Sequence, residues 1–460
     1  MIGATGSGTG KTTLTLALLA YLADSGYSVA PFKVGPDFID PGHHGQMTGK
    51  TSFNLDSWML SREYNKKLFK QKTRDSDMAV VEGVMGLFDG YDAVSETGST
   101  AQMAKWLNLP VVLVVSARGK ARSAAAIVKG FEAFDKDLKI AGVIFTQTGS
   151  LRHYQYLKDA VKQNCKTRCL GHLPKNSAIV MPERHLGLVT ADELDIKPDV
   201  LSTLVSMVQE HIDMAALIHH LDRFEFQREK SGHREYEKSV DLDKSIVTIA
   251  VARDKAFCFY YQDNLNILKK SGAQIVEFSP LNDEKLPKNT DGIYFGGGYP
   301  ELFAEKLSEN SRLLTQVKEK SMSGMPVYGE CGGFMYLCNK LSAMDDTRQY
   351  TMSNCFDFNV KMSKRLRSLG YREITLKQES VIGKRGDVLR GHEFHYSSLE
   401  DSDVDIPSVY QVTGRAGQEI SLKGYQKFNT LGSYLHIHFG SNEKCAEHFV
   451  RRCKEFKDTR

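Results

Sequence analysis

Two short stretches of this 460-residue chain carry residue types that could do covalent chemistry. In the first, PVYGECGGFMYL at 326–337, Cys331 stands between a short apolar run and a helical pattern over Phe334–Leu341. A cysteine at a strand-to-helix turn, flanked by glycines that tolerate unusual φ/ψ, presents a nucleophile where the helix dipole favours the thiolate. In the second, TGSGTGKTT at 5–13, a glycine-rich loop leads into an apolar helix. Backbone N–H groups of such a loop converge on phosphate oxygens, and the helix N-terminus adds its dipole. Lys11 would reach the β- and γ-phosphates of ATP, and the Thr12 hydroxyl would complete a Mg²⁺ site. Gly6, Gly8, Gly10 and Thr13 complete the ATP-binding candidates. The strict Walker A pattern places a glycine where this chain has Thr5.

Mg²⁺ takes few hard oxygen ligands besides water and phosphate. Two segments offer carboxylates at predicted strand ends, where doubly wound sheets place their sites. FKVGPDFIDPG at 32–42 contains Lys33, Asp37 and Asp40, and VEGVMGLFDG at 81–90 contains Glu82 and Asp89. Asp37 and Glu82 are the metal-linked candidates, while Asp40 and Lys33 are the substrate-placing ones. The plainer reading of such acids is that they solvate turns and cap helices.

These residues need a scaffold, and the patterning supplies one. Apolar runs at Val29–Val34, Met78–Val81, Val111–Val115 and Ile140–Phe145 alternate with helical segments, beginning with an amphipathic pattern over Lys11–Ala23. Strands apolar on both faces imply a parallel sheet covered on two sides. A strand at Leu170–Pro174 and a helical stretch over Pro198–Leu221 follow. Residues 223–244 are dense in charge and poor in aliphatics, which marks a polar linker. The alternation then restarts, with strands at Ile246–Ala252, Gln274–Phe278 and Gly292–Phe295 and helices over Tyr260–Ser271 and Glu301–Lys320. The expected organisation is α/β, with two doubly wound domains at 1–222 and 245–460. Only Met1 and Ile2 precede the glycine-rich loop, so the first strand is expected to be truncated.

Composition bounds the function. A hydrophobic content of 41% and a charged content of 25% are those of an ordinary globular protein. A net charge of +4 is too small for nucleic-acid binding by so long a chain. Eight cysteines without a CxxC spacing are expected to be reduced thiols of a cytoplasmic protein. No signal peptide or membrane-length apolar run is present, so no membrane partner is expected.

Taken together, TGSGTGKTT, PFKVGPDFIDPG, FNLDSWML, VVEGVMGLFDGYD, MPERHLGLV, YFGGGYPEL, VYGECGGFMYL, RGHEFHYS and GSYLHIHFGSN resemble the cobyrinate a,c-diamide synthase family nearly end to end. The resemblance implies a dethiobiotin-synthetase-like P-loop ATPase domain followed by a flavodoxin-like class I glutamine amidotransferase domain. It implies amidation of the a and c acetate side chains of cobyrinic acid, a tetrapyrrole, with ATP, Mg²⁺ and glutamine, and it leaves a homodimer open. A carboxylate is a poor electrophile, so γ-phosphoryl transfer to give an acyl phosphate would precede attack by ammonia. Cys331 would release that ammonia from glutamine through a thioester.

The nucleophile needs a base. Strand alternation puts His436 and His438 on one side and cannot choose between them, while the family's Tyr-Leu-His pattern selects His436. Relatives often carry an acid after this histidine, and here Phe439-Gly-Ser-Asn442 follows. A dyad, or a triad completed elsewhere, is therefore expected. The resemblance also puts Gly297 and Gly298 at the oxyanion and His395 near the corrin or the domain interface. Two departures stand out. Thr146-Gln147 replaces a base-reading asparagine, and Ser116 replaces an aspartate. Nickel-sirohydrochlorin a,c-diamide synthase shares the reaction on a related macrocycle and is the close alternative. Cobyric acid synthase is disfavoured by DPGHH and PERHLGLV. A non-catalytic ParA-like ATPase switch would need no cysteine elbow.

Overall fold

The computed structural model describes residues 1–175, 189–191, 193, 198–222, 247–343, 348–400 and 406–460. The polar segment at 223–244 and nearly all of MPERHLGLV lie outside the described residues. The chain divides into two compact units, Met1–His233 and Arg234–Arg460. Among the described residues no helix is long and apolar enough to cross a membrane.

In the first unit, strands and helices alternate as β1 (Ile2–Ala4), α1 (Lys11–Asp24), β2 (Val29–Val34), α2 (Ile39–Thr48), β3 (Phe53–Leu55), α3 (Arg62–Thr73) and β4 (Met78–Glu82). They continue as α4 (Thr100–Trp106), β5 (Val111–Ser116), α5 (Ser123–Phe134), β6 (Ile140–Thr148), α6 (Leu151–Asn164), β7 (Cys169–Pro174), α7 (Pro198–His211) and α8 (Met214–Asp222). The seven strands form one sheet in the order β3-β2-β4-β1-β5-β6-β7, and every pairing is parallel. The short first strand thus takes a central place. Met1 extends its ladder, because Val112 N–H donates to the Met1 carbonyl.

Two expectations are corrected in this unit. The helix α1 is buried around most of its circumference rather than amphipathic, because α7 contributes Leu204, Val205 and Val208 to the same core as Leu14, Leu18 and Leu22. Each buried leucine contributes about 1.5–3 kcal/mol, which anchors the loop at the helix's N-terminus. The stretch over Pro198–Leu221 is two helices. Ile212 bridges Gly171 and Asp213 N–H donates to Leu170 O, so sheet-edge pairing interrupts the helix.

In the second unit the elements are β8 (Val247–Ala252), α9 (Gln262–Lys270), β9 (Ala273–Phe278), β10 (Gly292–Phe295), α10 (Ala304–Glu309), α11 (Ser311–Met322), β11 (Val327–Glu330) and α12 (Gly332–Leu337). There follow β12 (Lys340–Ser342), β13 (Gln349–Thr351), β14 (Asn359–Met362), β15 (Ser368–Leu376), β16 (Val388–His395), β17 (Ser397–Leu399), β18 (Tyr410–Gly414), β19 (Tyr425–Lys427), β20 (Thr430–Ser433), β21 (Leu435–Ile437) and α13 (Glu443–Asp458). The main sheet runs β19-β20-β11-β10-β8-β9, parallel except at β19–β20. Two four-stranded sheets, β13-β12-β14-β17 and β18-β15-β16-β21, complete the unit.

The helix expected over Glu301–Lys320 is a 3₁₀ turn at Pro300–Phe303 followed by α10 and α11. It breaks at Asn310, whose side chain donates to the carbonyls of Pro280 and Asp283 instead of facing solvent. The helix after Cys331 ends at Leu337, not Leu341, because Lys340–Ser342 pairs as a strand with β13 and β14.

Candidate active sites

In the first unit the glycine-rich loop joins β1 to α1. Gly10 at φ +82° forms the helix N-cap, and Gly8 is also left-handed at φ +71°, so two of the three glycines are needed for backbone shape. The end of β6 buttresses the loop: Thr146 Oγ1 donates to Thr9 O, and Gln147 Nε2 donates to Gly8 O at 3.4 Å. Ser116 Oγ donates to Gln147 Oε1 at 2.9 Å. Both departures from the family pattern therefore serve the loop.

The charged side chains meet at its foot. Thr12 Oγ1 donates to Glu82 Oε1 at 2.7 Å, and Lys11 Nζ donates to Met85 O at 2.9 Å. Burial, with the neighbouring Lys33 charge, lowers the Lys11 pKa to about 8 against the pull of Glu82, Asp40 and Asp37. Lys33 is the hub, hydrogen-bonded to Asp40 and lying 3.2 Å from Glu82 and 3.8 Å from Asp37. Burial opposes its charge, but Glu82, Asp40 and Asp37 outweigh burial and hold its pKa well up. Burial likewise disfavours the Glu82 carboxylate, yet Lys33 and His44 hold its pKa well down. Burial, Asp37 and Glu82 push the Asp40 carboxyl up. His44 escaped the sequence reading. Its Nε2 lies 2.8 Å from Glu82 Oε2 and its Nδ1 3.1 Å from Ser52 Oγ. The i, i+4 spacing from Asp40 on α2 is the signal that could have found it.

Asp37 has two attachments, since its Oδ1 also accepts the N–H groups of Ile39 and Asp40 at the start of α2. Asp89 is exposed, and its carboxylate is taken up by Gly86 N–H at 2.9 Å. Thr12 and Glu82 set two hard oxygens side by side, which fits an ion that keeps waters and phosphate oxygens as its other ligands. Among the described residues no group of three or more His, Cys, Asp or Glu side chains forms a metal cage. Asp37 joins the cluster through Lys33.

In the second unit β11 delivers Cys331 to a strained turn at φ +47°, ψ −106°, at the N-cap of α12. Strain of this kind costs about 1–3 kcal/mol and is held by Cys331 N–H donating to Ser433 O at 2.8 Å and Met335 N–H donating to Cys331 O at 3.0 Å. Burial pushes the thiol pKa up and Glu301 adds to it, while the Gly332 N–H works the other way. The Sγ donates to Phe394 O at 3.7 Å.

His436 lies against the glycine loop, since a Cβ on Gly297 would collide with its Cε1. The loop also adjoins the elbow, because a Cβ on Gly332 would come within 3.0 Å of Gly298 N. One expectation needs correction. Gly297 N–H donates to Phe259 O at 3.1 Å, so Gly297 makes room for the imidazole rather than donating to an oxyanion. Gly298 N–H has no acceptor among the described residues, and its nitrogen lies 3.0 Å from where a Cβ on Gly332 would sit.

Burial, with His392 and His395 adding, lowers the His436 pKa to about 3. Past Ile437 the backbone stays extended, with His438 N–H donating to Arg390 O at 3.0 Å, so alternation does not separate His436 from His438. That ring is tilted against Tyr261, with Nδ1 accepting Gly440 N–H at 3.1 Å. Two residues missed in the sequence hold the base strand. Glu330 accepts Ile437 N–H, and Asn264 Nδ2 donates to Ile437 O at 2.7 Å. His395 lies in this unit, its neighbour Phe394 taking the Cys331 Sγ–H.

Residues 1–189 match the CobQ/CobB/MinD/ParA nucleotide binding domain, and residues 248–444 match the CobB/CobQ-like glutamine amidotransferase domain. A cobyrinate a,c-diamide synthase of Caldanaerobacter subterraneus subsp. tengcongensis is 40% identical over 99% of this chain and 98% of its own. One from Priestia megaterium is 40% identical over 100% and 98%. One from Listeria innocua is 41% identical over 96% of each chain.

Proposed function

The chain belongs to the cobyrinate a,c-diamide synthase family, and from that premise we propose that it amidates the a and c acetate carboxylates of cobyrinic acid with ATP and glutamine. The observation that carries this reading is the presence in one chain of a phosphate loop with a buried lysine and, against one glycine loop, both a strained cysteine elbow and a histidine.

In the first unit a substrate carboxylate oxygen attacks the γ-phosphorus of ATP, ADP leaves, and an acyl phosphate forms. Lys11 and the loop N–H groups hold the phosphates, and Lys33 with Asp40 places the carboxylate. Thr12 and Glu82, with Asp37 nearby, would hold Mg²⁺, which supplies charge neutralisation. Ammonia then attacks the acyl carbon, and inorganic phosphate leaves.

In the second unit His436, neutral because it is buried, takes the Cys331 proton as sulfur attacks the glutamine amide carbon. The negative oxygen meets the N–H groups of Gly298 and Gly332. The His436 proton returns to the departing ammonia, and water hydrolyses the thioester to glutamate. Free ammonia is mostly ammonium near neutral pH, which is the reason for a dedicated releasing site.

The test is incubation of the full chain with cobyrinic acid, ATP, Mg²⁺ and glutamine, followed by mass spectrometry. One and then two amide additions are expected. Addition only in a parallel reaction with nickel-sirohydrochlorin would move the assignment to that macrocycle, and no addition to either would sink it.

A further inference from the structure

The whole chain carries a net charge of only +4, yet Lys361, Lys364, Arg365 and Arg367 crowd into seven residues, with no acid between Asn359 and Arg372. All four are exposed. Lys361, Arg365 and Arg367 have no acid partner among the described residues. An ordinary solvated surface intersperses both signs, whereas like charges gathered without counter-ions repel one another and raise the local concentration of anions. The cluster therefore points to an anionic ligand.

Its place in the fold narrows the choice. The turn at 363–367 joins β14 to β15, strands of two different sheets, and is tied to the end of β16. Ser363 N–H donates to Tyr396 O at 2.7 Å, and Arg367 N–H donates to His395 O at 3.0 Å. Antiparallel pairing then sets Leu369 opposite Phe394, Tyr371 opposite His392, and His392 opposite His436. Opposed residues, and residues two apart on a strand, point to one side, so these five side chains share a face. Leu369 is 56% exposed, the three rings between are half-buried, and His436 is buried. At the far end the Glu373–Arg390 ion pair at 2.7 Å closes the face.

We propose that this face and its basic turn bind the tetrapyrrole, the exposed cations taking carboxylates at the rim of the macrocycle while Leu369 and Tyr371 lie against its flat apolar ring. The proposal rests on the reading above that the substrate is a carboxylate-bearing tetrapyrrole. Two positions along the strand and three strands across give a face of about 7 by 10 Å, the footprint of one ring system rather than of a polymer. Glutamine has one carboxylate beside its own ammonium, which leaves four cations nothing to share. ATP has the glycine-rich loop of the first unit.

The test uses the full chain with Arg365→Glu and Arg367→Glu combined. The KM for cobyrinic acid should rise about tenfold, the size of two exposed ion pairs turned to repulsion. The kcat, the KM for glutamine, the KM for ATP and the Tm should stay put, and Arg365→Lys with Arg367→Lys should keep the parent KM. If the reversed pair lowers Tm, Arg365→Gln with Arg367→Gln takes its place, with a smaller rise in the same KM. An unmoved KM for cobyrinic acid, or a common rise for all three substrates, would overturn the proposal. Equilibrium dialysis with a polycarboxylate porphyrin reads the face without turnover. Binding should weaken in the charge-reversed chain and with added salt, and equal binding by both chains would overturn it. An oligonucleotide that binds the parent and not the charge-reversed chain would assign the turn to nucleic acid instead. A parent chain that amidates no tetrapyrrole would sink the proposed reaction, while dialysis would still decide the face.

Discussion

Glu330 Oε1 accepts the backbone N–H of Ile437 at 2.9 Å, so one buried carboxylate joins the residue before the nucleophile to the residue after the base. The strands β11 and β21 belong to different sheets, and this contact ties them. Tyr328 and Tyr294 donate their hydroxyls to the same carboxylate at 2.6 and 2.9 Å. Burial nonetheless raises the Glu330 pKa to about 7, against these three hydrogen bonds.

The sign of the pH effect follows. A carboxyl with a raised folded pKa holds its proton longer folded than unfolded, so its contribution is fully present below its unfolded pKa. It is lost as pH rises through about 7. The loss amounts to about 3 kcal/mol. Glu330→Gln should therefore flatten the fall in Tm between acidic pH and neutrality while keeping an acceptor for Ile437. Glu330→Ala should slow glutamine hydrolysis about tenfold or more, since a misplaced base costs rate steeply. Thermal melts across pH and a glutaminase assay check both. An unchanged pH slope in the Gln variant would remove Glu330 from this account.

Cys331→Ala or Cys331→Ser should abolish glutamine-dependent amidation while high ammonia still supports product, because ammonia release and carboxylate activation are separate steps. The check is product formation with each nitrogen source. Equal loss with both would make Cys331 structural or the two steps inseparable.

Lys11→Ala should remove product with either nitrogen source, since no acyl phosphate forms without γ-phosphate positioning. ADP release measured alongside amide formation locates the block. Turnover retained with ammonia would refute the nucleotide-site assignment.

Among the acids, Glu82→Ala should be the most damaging. It leaves Lys33 and His44 buried without a shared carboxylate, and uncovering a buried pair costs about 3–5 kcal/mol. Asp37→Ala should weaken both the cluster and the start of α2. Asp40→Ala should stall the reaction after one amidation, because Lys33 then loses the group that fixes it. Tm beside the mono- to diamide ratio separates chemistry from scaffolding: a lowered Tm with an unchanged ratio would mean that these acids are only structural.

The sequence by itself determined whatever depends on contiguous residues. The glycine-rich loop, the cysteine elbow and the doubly apolar strands such as Val111–Ser116 are local: backbone conformations and strand faces are set within a few positions. Tertiary structure decided the rest. The convergence of Thr12, Lys33, His44 and Glu82 draws on α1, β2, α2 and β4, which only strand order brings together. The environments of His436 and His438 differ because the Gly297 loop packs on one ring and Tyr261 on the other. That Gly297 N–H is spent on Phe259 could not be read either, since a backbone donor's partner is chosen by packing.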